Sequence, residues 1–131
     1  MKLIKLLTAT ILAVTIAFSV HADEPKDKVK AGFIYVGPTG DHGWTYMHEQ
    51  GRLAVKKAFG DKVETTFIES VKYGPEAETV IRAMANSGTD LIFATSFGYM
   101  EPMLKVAKEF PNVKFEHATG CLLYTSPSPR D

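Results

Sequence analysis

The chain has 131 residues, carries 15 Lys plus Arg against 15 Asp plus Glu, and is 45% hydrophobic. This composition is typical of a globular protein with an apolar core, and it provides no basic stripe for nucleic acid or anionic lipid. The single cysteine, Cys121, excludes a disulfide framework.

The beginning of the chain has the organisation of a secretory signal. Two lysines precede an uncharged apolar run over residues 6–20, and the small-residue cleavage site Val20-His21-Ala22 follows. A membrane anchor is the alternative, but a spanning helix needs about 20 apolar residues and this run is shorter. We therefore expect residues 1–22 to be a signal peptide, cleaved after Ala22, which makes the protein periplasmic.

Residues 121–131, CLLYTSPSPRD, depart from the pattern before them. Their codons can be written to match the end of a transposase-type sequencing adapter read in frame, whereas a genuine Ser- and Pro-rich disordered tail is the alternative. We expect this tail to be non-native. The remaining residues 23–120 contain 12 basic and 14 acidic side chains, a net charge of −2.

Four short runs rich in β-branched and aromatic residues alternate with three segments of helical periodicity. The predicted strands are KAGFIYVG (30–37), VETTFIESV (63–71), DLIFATS (90–96) and VKFEHATG (113–120). The predicted helices run roughly over residues 44–59, from Pro75 to Gly88, and from near Gly98 to before Pro111.

Each predicted helix has an apolar face that we expect to pack inward. In the first helix this face is formed by Met47, Gly51, Ala54, Val55 and Ala58, with Glu49 and Arg52 elsewhere. In the second it is formed by Ala77, Val80, Ile81, Met84 and Ala85, and in the third by Met103, Leu104 and Ala107.

This alternation predicts an α/β protein with a doubly wound parallel sheet, because each return to a parallel neighbour needs a crossover helix. Ligands of such sheets bind outside the carboxyl ends of the strands, near the point where the strand order reverses. We call this edge the rim. Four segments are expected there: residues 37–44, 69–74, 95–100 and 117–120.

Trp44, the only tryptophan, lies in the first rim segment beside Gly37, Gly40 and Gly43. Glycines let the backbone turn tightly and approach a ligand closely, and the amides that open the following helix favour an acceptor atom. Two interpretations of Trp44 stay open. The indole presents a flat face to a ligand, or it is the first apolar residue of the helix and packs on the sheet.

Sequence motifs argue against the common enzyme classes. The glycines are spaced G-x-x-G-x-x-G rather than G-x-G-x-x-G, and the pattern G-x-x-x-x-G-K-[ST] is missing. His42 and His48 lie six residues apart without a cysteine, which disfavours zinc. Ser96 stands in ATSFG rather than G-x-S-x-G, and Asp41 is more simply explained as a helix cap than as a base. We expect no enzyme, no cofactor and no metal site.

Two long segments, residues 28–60 and 80–120, resemble solute-binding proteins of the basic membrane protein family, the purine-nucleoside-receptor type of ABC importer component. In that family the first loop reads D-x-S-F-N, followed after five residues by glycine. Here Asp41 and Gly51 match, Trp44 replaces the phenylalanine and Thr45 replaces the asparagine. The lost asparagine favours a free base such as adenine over a nucleoside, and a base stacks well on an indole.

The resemblance implies that Asp41, Trp44 and Thr45 bind the ligand. It also implies that the loop after the third strand, with Ser96, Phe97 and Gly98, supplies further contacts. For Phe97, packing beneath that loop is the alternative and the better explanation of the two. Thr119 reaches the same rim from the fourth strand.

Three other residues near the rim are assigned smaller parts. Glu69 and Tyr73 are weaker rim candidates. His117 is expected to be a strand residue with an ordinary hydrogen-bond partner.

The resemblance further implies a periplasmic-binding-protein type I fold with two lobes that close on a purine-like ligand and then contact an ABC permease. Residues 23–120 would form part of the N-terminal lobe, so this chain alone is expected to bind weakly, and the complete protein to be a monomer. A sugar or another small polar solute is the alternative ligand. A Rossmann-type envelope enzyme is the alternative from a different class.

Overall fold

The computed structural model describes residues 27–120, so the expectations for residues 1–22 and 121–131 lie outside the described residues. Strands and helices alternate along the described chain, with one 3-10 turn before the second strand and another before the third helix. The elements are β1 (Val29–Ile34), α1 (Trp44–Phe59), β2 (Val63–Ile68), α2 (Pro75–Asn86), β3 (Leu91–Ala94), α3 (Met100–Ala107) and β4 (Lys114–His117). Within residues 27–120, none of the helices has both the length and the hydrophobicity of a membrane-spanning segment.

The four strands form one parallel sheet in the order β2-β1-β3-β4. Val29 pairs with Val63 on one side of β1, and Ala31 pairs with Leu91 on the other. The strand order therefore reverses between β1 and β3, which is where ligands of doubly wound sheets bind. The predicted α/β fold class is confirmed.

Helices cover both faces of this sheet. On one face α2 and α3 pack against β1 and β3 in a core that includes Ile34, Ile81, Ile92, Met103 and Val106. On the other face lies a smaller cluster of Ala31, Phe33 and Tyr35, and α1 reaches it through the side chain of Glu49.

The inward faces predicted for α2 and α3 are largely confirmed. The buried residues of α2 are Ala77, Ile81, Met84 and Ala85, and Val80 packs against them partly buried. In α3, Met103 is buried as expected. Leu104 is 40% exposed and the prediction for it is wrong, since Val106 takes the inward position instead.

The inward face predicted for α1 is wrong. Met47 is 65% exposed and Ala54 is also exposed, whereas the residues buried in this helix are Thr45, Glu49 and Arg52. Two charged residues therefore face the sheet, and most of the apolar stripe faces outward.

The reason is a polar network between α1 and the first two strands. The hydroxyl of Tyr35 donates to Glu49 Oε2 at 3.0 Å, and Arg52 Nε donates to the same oxygen at 2.8 Å. Arg52 Nη1 donates to Thr65 Oγ1 at 2.6 Å, and the guanidinium lies over the Phe67 ring, 4.8 Å from its centroid. Each charged group is paired, as burial requires.

The same contacts shift the ionisation of this network. Hydrogen bonding to Arg52 holds the pKa of Glu49 below its ordinary value. Burial, followed by the contact with Glu49, raises the pKa of Tyr35. Glu49 and Arg52 therefore stay charged, Tyr35 stays neutral, and the network anchors α1 to the sheet near neutral pH.

Candidate ligand-binding site

The loop after β1 is shaped by the carboxylate of Asp41. Its Oδ1 accepts hydrogen bonds from the amides of Gly43 at 2.8 Å and Tyr46 at 2.9 Å, and its Oδ2 accepts one from Thr45 at 3.1 Å. These bonds, led by the one from Gly43, lower the pKa of Asp41. Asp41 thus caps the start of α1, and its carboxylate occupies the amides of Gly43, Thr45 and Tyr46, which therefore do not attract an acceptor of the ligand.

Thr45 and Glu69 each accept a hydrogen bond from the backbone of the same loop. Thr45 is fully buried, and its Oγ1 accepts a hydrogen bond from the Gly37 amide at 3.2 Å. Glu69 Oε2 accepts one from the Thr39 amide at 2.7 Å. Both side chains therefore support the loop, and the structure does not place the Thr45 hydroxyl on the surface of the rim.

Trp44 opens α1 with its indole at the rim. Trp44 is 49% exposed, and its Nε1 donates to the carbonyl oxygen of Thr95 at 2.7 Å. The ring of His48 meets the indole in an edge-on arrangement, with 4.7 Å between centroids and 65° between planes. The indole is consequently fixed at one edge and half open to solvent, rather than sealed beneath its helix.

The segment after β3 brings the other predicted residues to the rim. Ser96 is 8% exposed, and its Oγ lies 2.7 Å from the hydroxyl oxygen of Tyr73. Phe97 is 58% exposed at the start of the 3-10 turn that leads into α3. Gly98 lies directly against the Tyr73 ring, since a Cβ added to Gly98 would stand 2.5 Å from Tyr73 Cγ.

Thr119 follows β4 at the end of the described chain. It is exposed and adopts a left-handed backbone conformation with φ of 72°, which is uncommon for a residue other than glycine. The amide of the preceding Ala118 donates to the Ala94 carbonyl at 2.9 Å, so the chain leaves the sheet directly before Thr119.

Trp44 and the 95–98 segment are thus brought together where the strand order reverses. Asp41 and Thr45 shape the loop on which Trp44 stands, and Thr119 lies one strand further along the sheet. The arrangement offers exposed aromatic surface beside hydroxyl groups, which suits a small planar ligand with polar edges better than a charged one.

His117 differs from its expected role. Among the described residues neither of its buried ring nitrogens has a hydrogen-bond partner, so the expected partner is wrong there. Burial lowers the pKa of His117, and the nearby backbone of Ser96 acts in the opposite direction. The ring lines an apolar groove of about 300 Å³ together with Phe115, Met103 and Gly120. Trp44 does not line this groove.

The sequence alone did not reveal two partners of the site. The first is the Thr95 carbonyl, which any residue type would provide. The second is Tyr73 as the partner of Ser96. The one local sequence signal for the Tyr73–Ser96 contact is Gly98, because the lack of a side chain at that position leaves room for the Tyr73 ring.

Comparisons with known proteins agree with this fold. A family model described as ABC transporter substrate-binding protein, PnrA-like, matches residues 28–122. A purine-binding protein of Brucella abortus (strain 2308) is 56% identical over 112 residues, which are 86% of this chain and 31% of that protein. A putative ABC transporter glucose-binding protein of Haloferax volcanii is 40% identical over 94 residues, 72% of this chain and 24% of that protein. The chain therefore spans less than a third of the length of these curated relatives.

Two solved structures of similar fold are also solute-binding proteins of ABC transporters. A solute-binding protein of an ABC transporter system from Conexibacter woesei has a TM-score of 0.60 and 32% identity, covering 66% of this chain and 28% of that chain. Another from Aeropyrum pernix K1 has a TM-score of 0.63 and 26% identity, covering 71% of this chain and 25% of that chain.

Proposed function

The chain belongs to the family of PnrA-like ABC transporter substrate-binding proteins, and we propose that it captures a purine-type base outside the inner membrane for an ABC importer. In this proposal the protein is a receptor and not an enzyme. The ligand is held between two lobes, of which residues 27–120 provide part of the first, and the closed form contacts a membrane permease.

The observation that carries the proposal is the half-exposed indole of Trp44, fixed at the point where the strand order reverses. Stacking of one base on an aromatic side chain contributes about 1–3 kcal/mol. Because the indole is already immobilised, little of that energy is lost in ordering it when the ligand binds. The name of the Brucella abortus relative, a purine-binding protein at 56% identity, supports the same ligand class.

A sugar is the second candidate, because the Haloferax volcanii relative is named as a glucose-binding protein. The apolar face of a pyranose also packs on an indole, so Trp44 alone does not separate the two ligand classes. A purine is favoured by the higher identity of the purine-binding relative and by the wide, flat, exposed aromatic surface at the rim.

The test is isothermal titration calorimetry of the full-length protein with adenine and, separately, with glucose. We expect adenine to bind and glucose to give no heat of binding. Binding of glucose alone would replace the purine proposal by the sugar proposal, and binding of neither would contradict both.

A further inference from the structure

We propose that Tyr73 is a second ligand-contacting residue of the rim and that Ser96 is a positioning residue that acts through it. This inference rests on the proposed function, because it concerns the same site and the same planar ligand.

The Tyr73 ring is held by protein on one side and open on the other. Its hydroxyl oxygen lies 2.7 Å from Ser96 Oγ, and its ring meets Tyr99 edge-on, with 5.4 Å between centroids and 72° between planes. Gly98 packs so closely that a Cβ there would stand 2.5 Å from Tyr73 Cγ. Even so, 52% of Tyr73 is exposed. An aromatic residue so tightly held and so exposed is suited to contact a ligand.

The loop that carries Tyr73 is itself fixed to the sheet. Val71 is 2% exposed, its amide donates to the Tyr35 carbonyl at 3.0 Å, and its own carbonyl accepts the Tyr99 hydroxyl at 2.7 Å. The following amide, that of Lys72, donates to Glu76 Oε1 at 3.1 Å. Tyr73 therefore loses little conformational freedom when a ligand binds, which favours affinity.

Trp44 and Tyr73 reach the same strand end from two different loops. Trp44 is bonded to Thr95, and Tyr73 is bonded to the next residue, Ser96. The indole uses its only N–H in that bond and presents only ring surface to the rim. A tyrosine hydroxyl both donates and accepts, so Tyr73 keeps hydrogen-bonding capacity beyond the bond to Ser96.

Ser96 has a different role from the one its sequence position indicates. At 8% exposure its hydroxyl lies mostly beneath the surface, whereas the phenol bonded to it is half exposed. The geometry assigns the ligand contact to Tyr73 and leaves Ser96 to orient the phenol. Tyr73 then offers a planar ligand both ring surface and one polar contact at its edge.

The experiment is a double-substitution cycle in the full-length protein, read out by the affinity for adenine and for unsubstituted purine. Tyr73→Leu removes the ring and should weaken adenine binding at least about fivefold. Tyr73→Phe and Ser96→Ala each break the hydroxyl pair and should weaken adenine binding about two- to tenfold. The double variant should be no weaker than Tyr73→Phe alone, because Ser96 acts through the Tyr73 hydroxyl that this substitution has already removed.

The ratio of the affinities for adenine and for unsubstituted purine distinguishes a ligand contact by Tyr73 from a merely structural role of that residue. If the phenol contacts a polar edge of the base, Tyr73→Phe should change the ratio of the two affinities at least about threefold, since the hydrogen bond is lost to only one base. Equal weakening of both bases, or additive effects in the double variant, would overturn the inference. Should Tyr73→Phe not fold, Ser96→Ala must still change the ratio.

The wild-type protein and Trp44→Ala separate this inference from the proposed function. If the wild-type protein binds neither base, the proposed function fails and this inference fails with it. If the wild-type protein binds adenine and Trp44→Ala weakens that binding, but Tyr73→Leu leaves it unchanged, only the inference about Tyr73 is wrong.

Discussion

The indole N–H of Trp44 is bonded to the carbonyl oxygen of Thr95 at 2.7 Å, so the first residue of α1 is tied to the end of β3. Since β1 and β3 are the strands between which the order reverses, this bond spans the part of the sheet where a ligand is expected. The contact immobilises the indole while leaving half of it exposed.

Replacing Trp44 tests the role of its ring in binding. Trp44→Ala should weaken adenine binding more than tenfold, because the stacking surface, about 1–3 kcal/mol, is lost with its fixed orientation. Trp44→Phe should give an intermediate loss, since it keeps a ring but no donor to Thr95. Calorimetric titration of the full-length protein measures both.

The matched control for Trp44 is Phe59→Ala. Phe59 is 58% exposed and is the last residue of the same helix, at the opposite end from Trp44. Its replacement should leave the affinity unchanged, and an unchanged affinity in Trp44→Ala would return the indole to a packing role.

Removing Glu49 tests the polar anchor of α1. Glu49→Ala leaves the buried guanidinium of Arg52 without its counter-charge and should lower the free energy of unfolding by about 3–5 kcal/mol. Urea denaturation followed by circular dichroism measures this loss. Glu64→Ala, at an exposed position of β2, is the control and should stay within about 0.5 kcal/mol. A loss below about 1 kcal/mol for Glu49→Ala would show that the network does not anchor the helix.

Adding a methyl group at Gly98 tests how closely Tyr73 packs there. Gly98→Ala should lower the free energy of unfolding by about 1–3 kcal/mol, because the new Cβ collides with the Tyr73 ring. Gly40→Ala is the control, since a Cβ at Gly40 meets nothing within 4 Å. In a Tyr73→Ala background the cost of Gly98→Ala should largely disappear, and a cost that persists would place the collision elsewhere.

Two histidines should make the protein less stable in mild acid. Burial lowers the pKa of His48 and is the main cause of the lowered pKa of His117, so the unfolded chain takes up protons at a higher pH than the folded one. The contribution of these two neutral histidines to the free energy of unfolding is then fully present above the ordinary histidine pKa of about 6.5. It is lost progressively as the pH drops below that value. Melting temperatures between about pH 7.5 and 5.5 measure this dependence, since most carboxylates stay ionised in that range.

The double variant His48→Gln, His117→Gln should show a flatter dependence over the same range, because glutamine does not titrate. The control is His42→Gln, which replaces an exposed histidine of the first loop. An equally steep loss of stability in the double variant would assign the acid sensitivity to other groups.

Most of the fold was predictable because it depends on local patterns. The apolar spacing in α2 and the short β-branched strands identify their elements without reference to the rest of the chain. The face of α1 was not predictable in this way. Glu49 and Arg52 turn inward because Tyr35 and Thr65 provide partners, and those partners lie directly after β1 and within β2.

The site was predictable in its location and less so in its contacts. The alternation of strands and helices along the chain predicts that Trp44 lies at the rim, and the structure places it there. The bond of that tryptophan to Thr95 involves a backbone carbonyl, which no side-chain pattern marks. The contact of Thr45 was also not predictable, because its hydroxyl oxygen accepts a hydrogen bond from a backbone amide, that of Gly37.

The tie between Trp44 and Thr95 joins residues 51 positions apart in the chain. A partly folded chain in which only β1 and β2 have paired would hold the indole free in water, because β3 has not yet taken its place on the other side of β1. Non-local pairings of this kind form slowly. We therefore expect the rim to be among the later parts of residues 27–120 to form, and indole emission should report when the third strand joins the sheet.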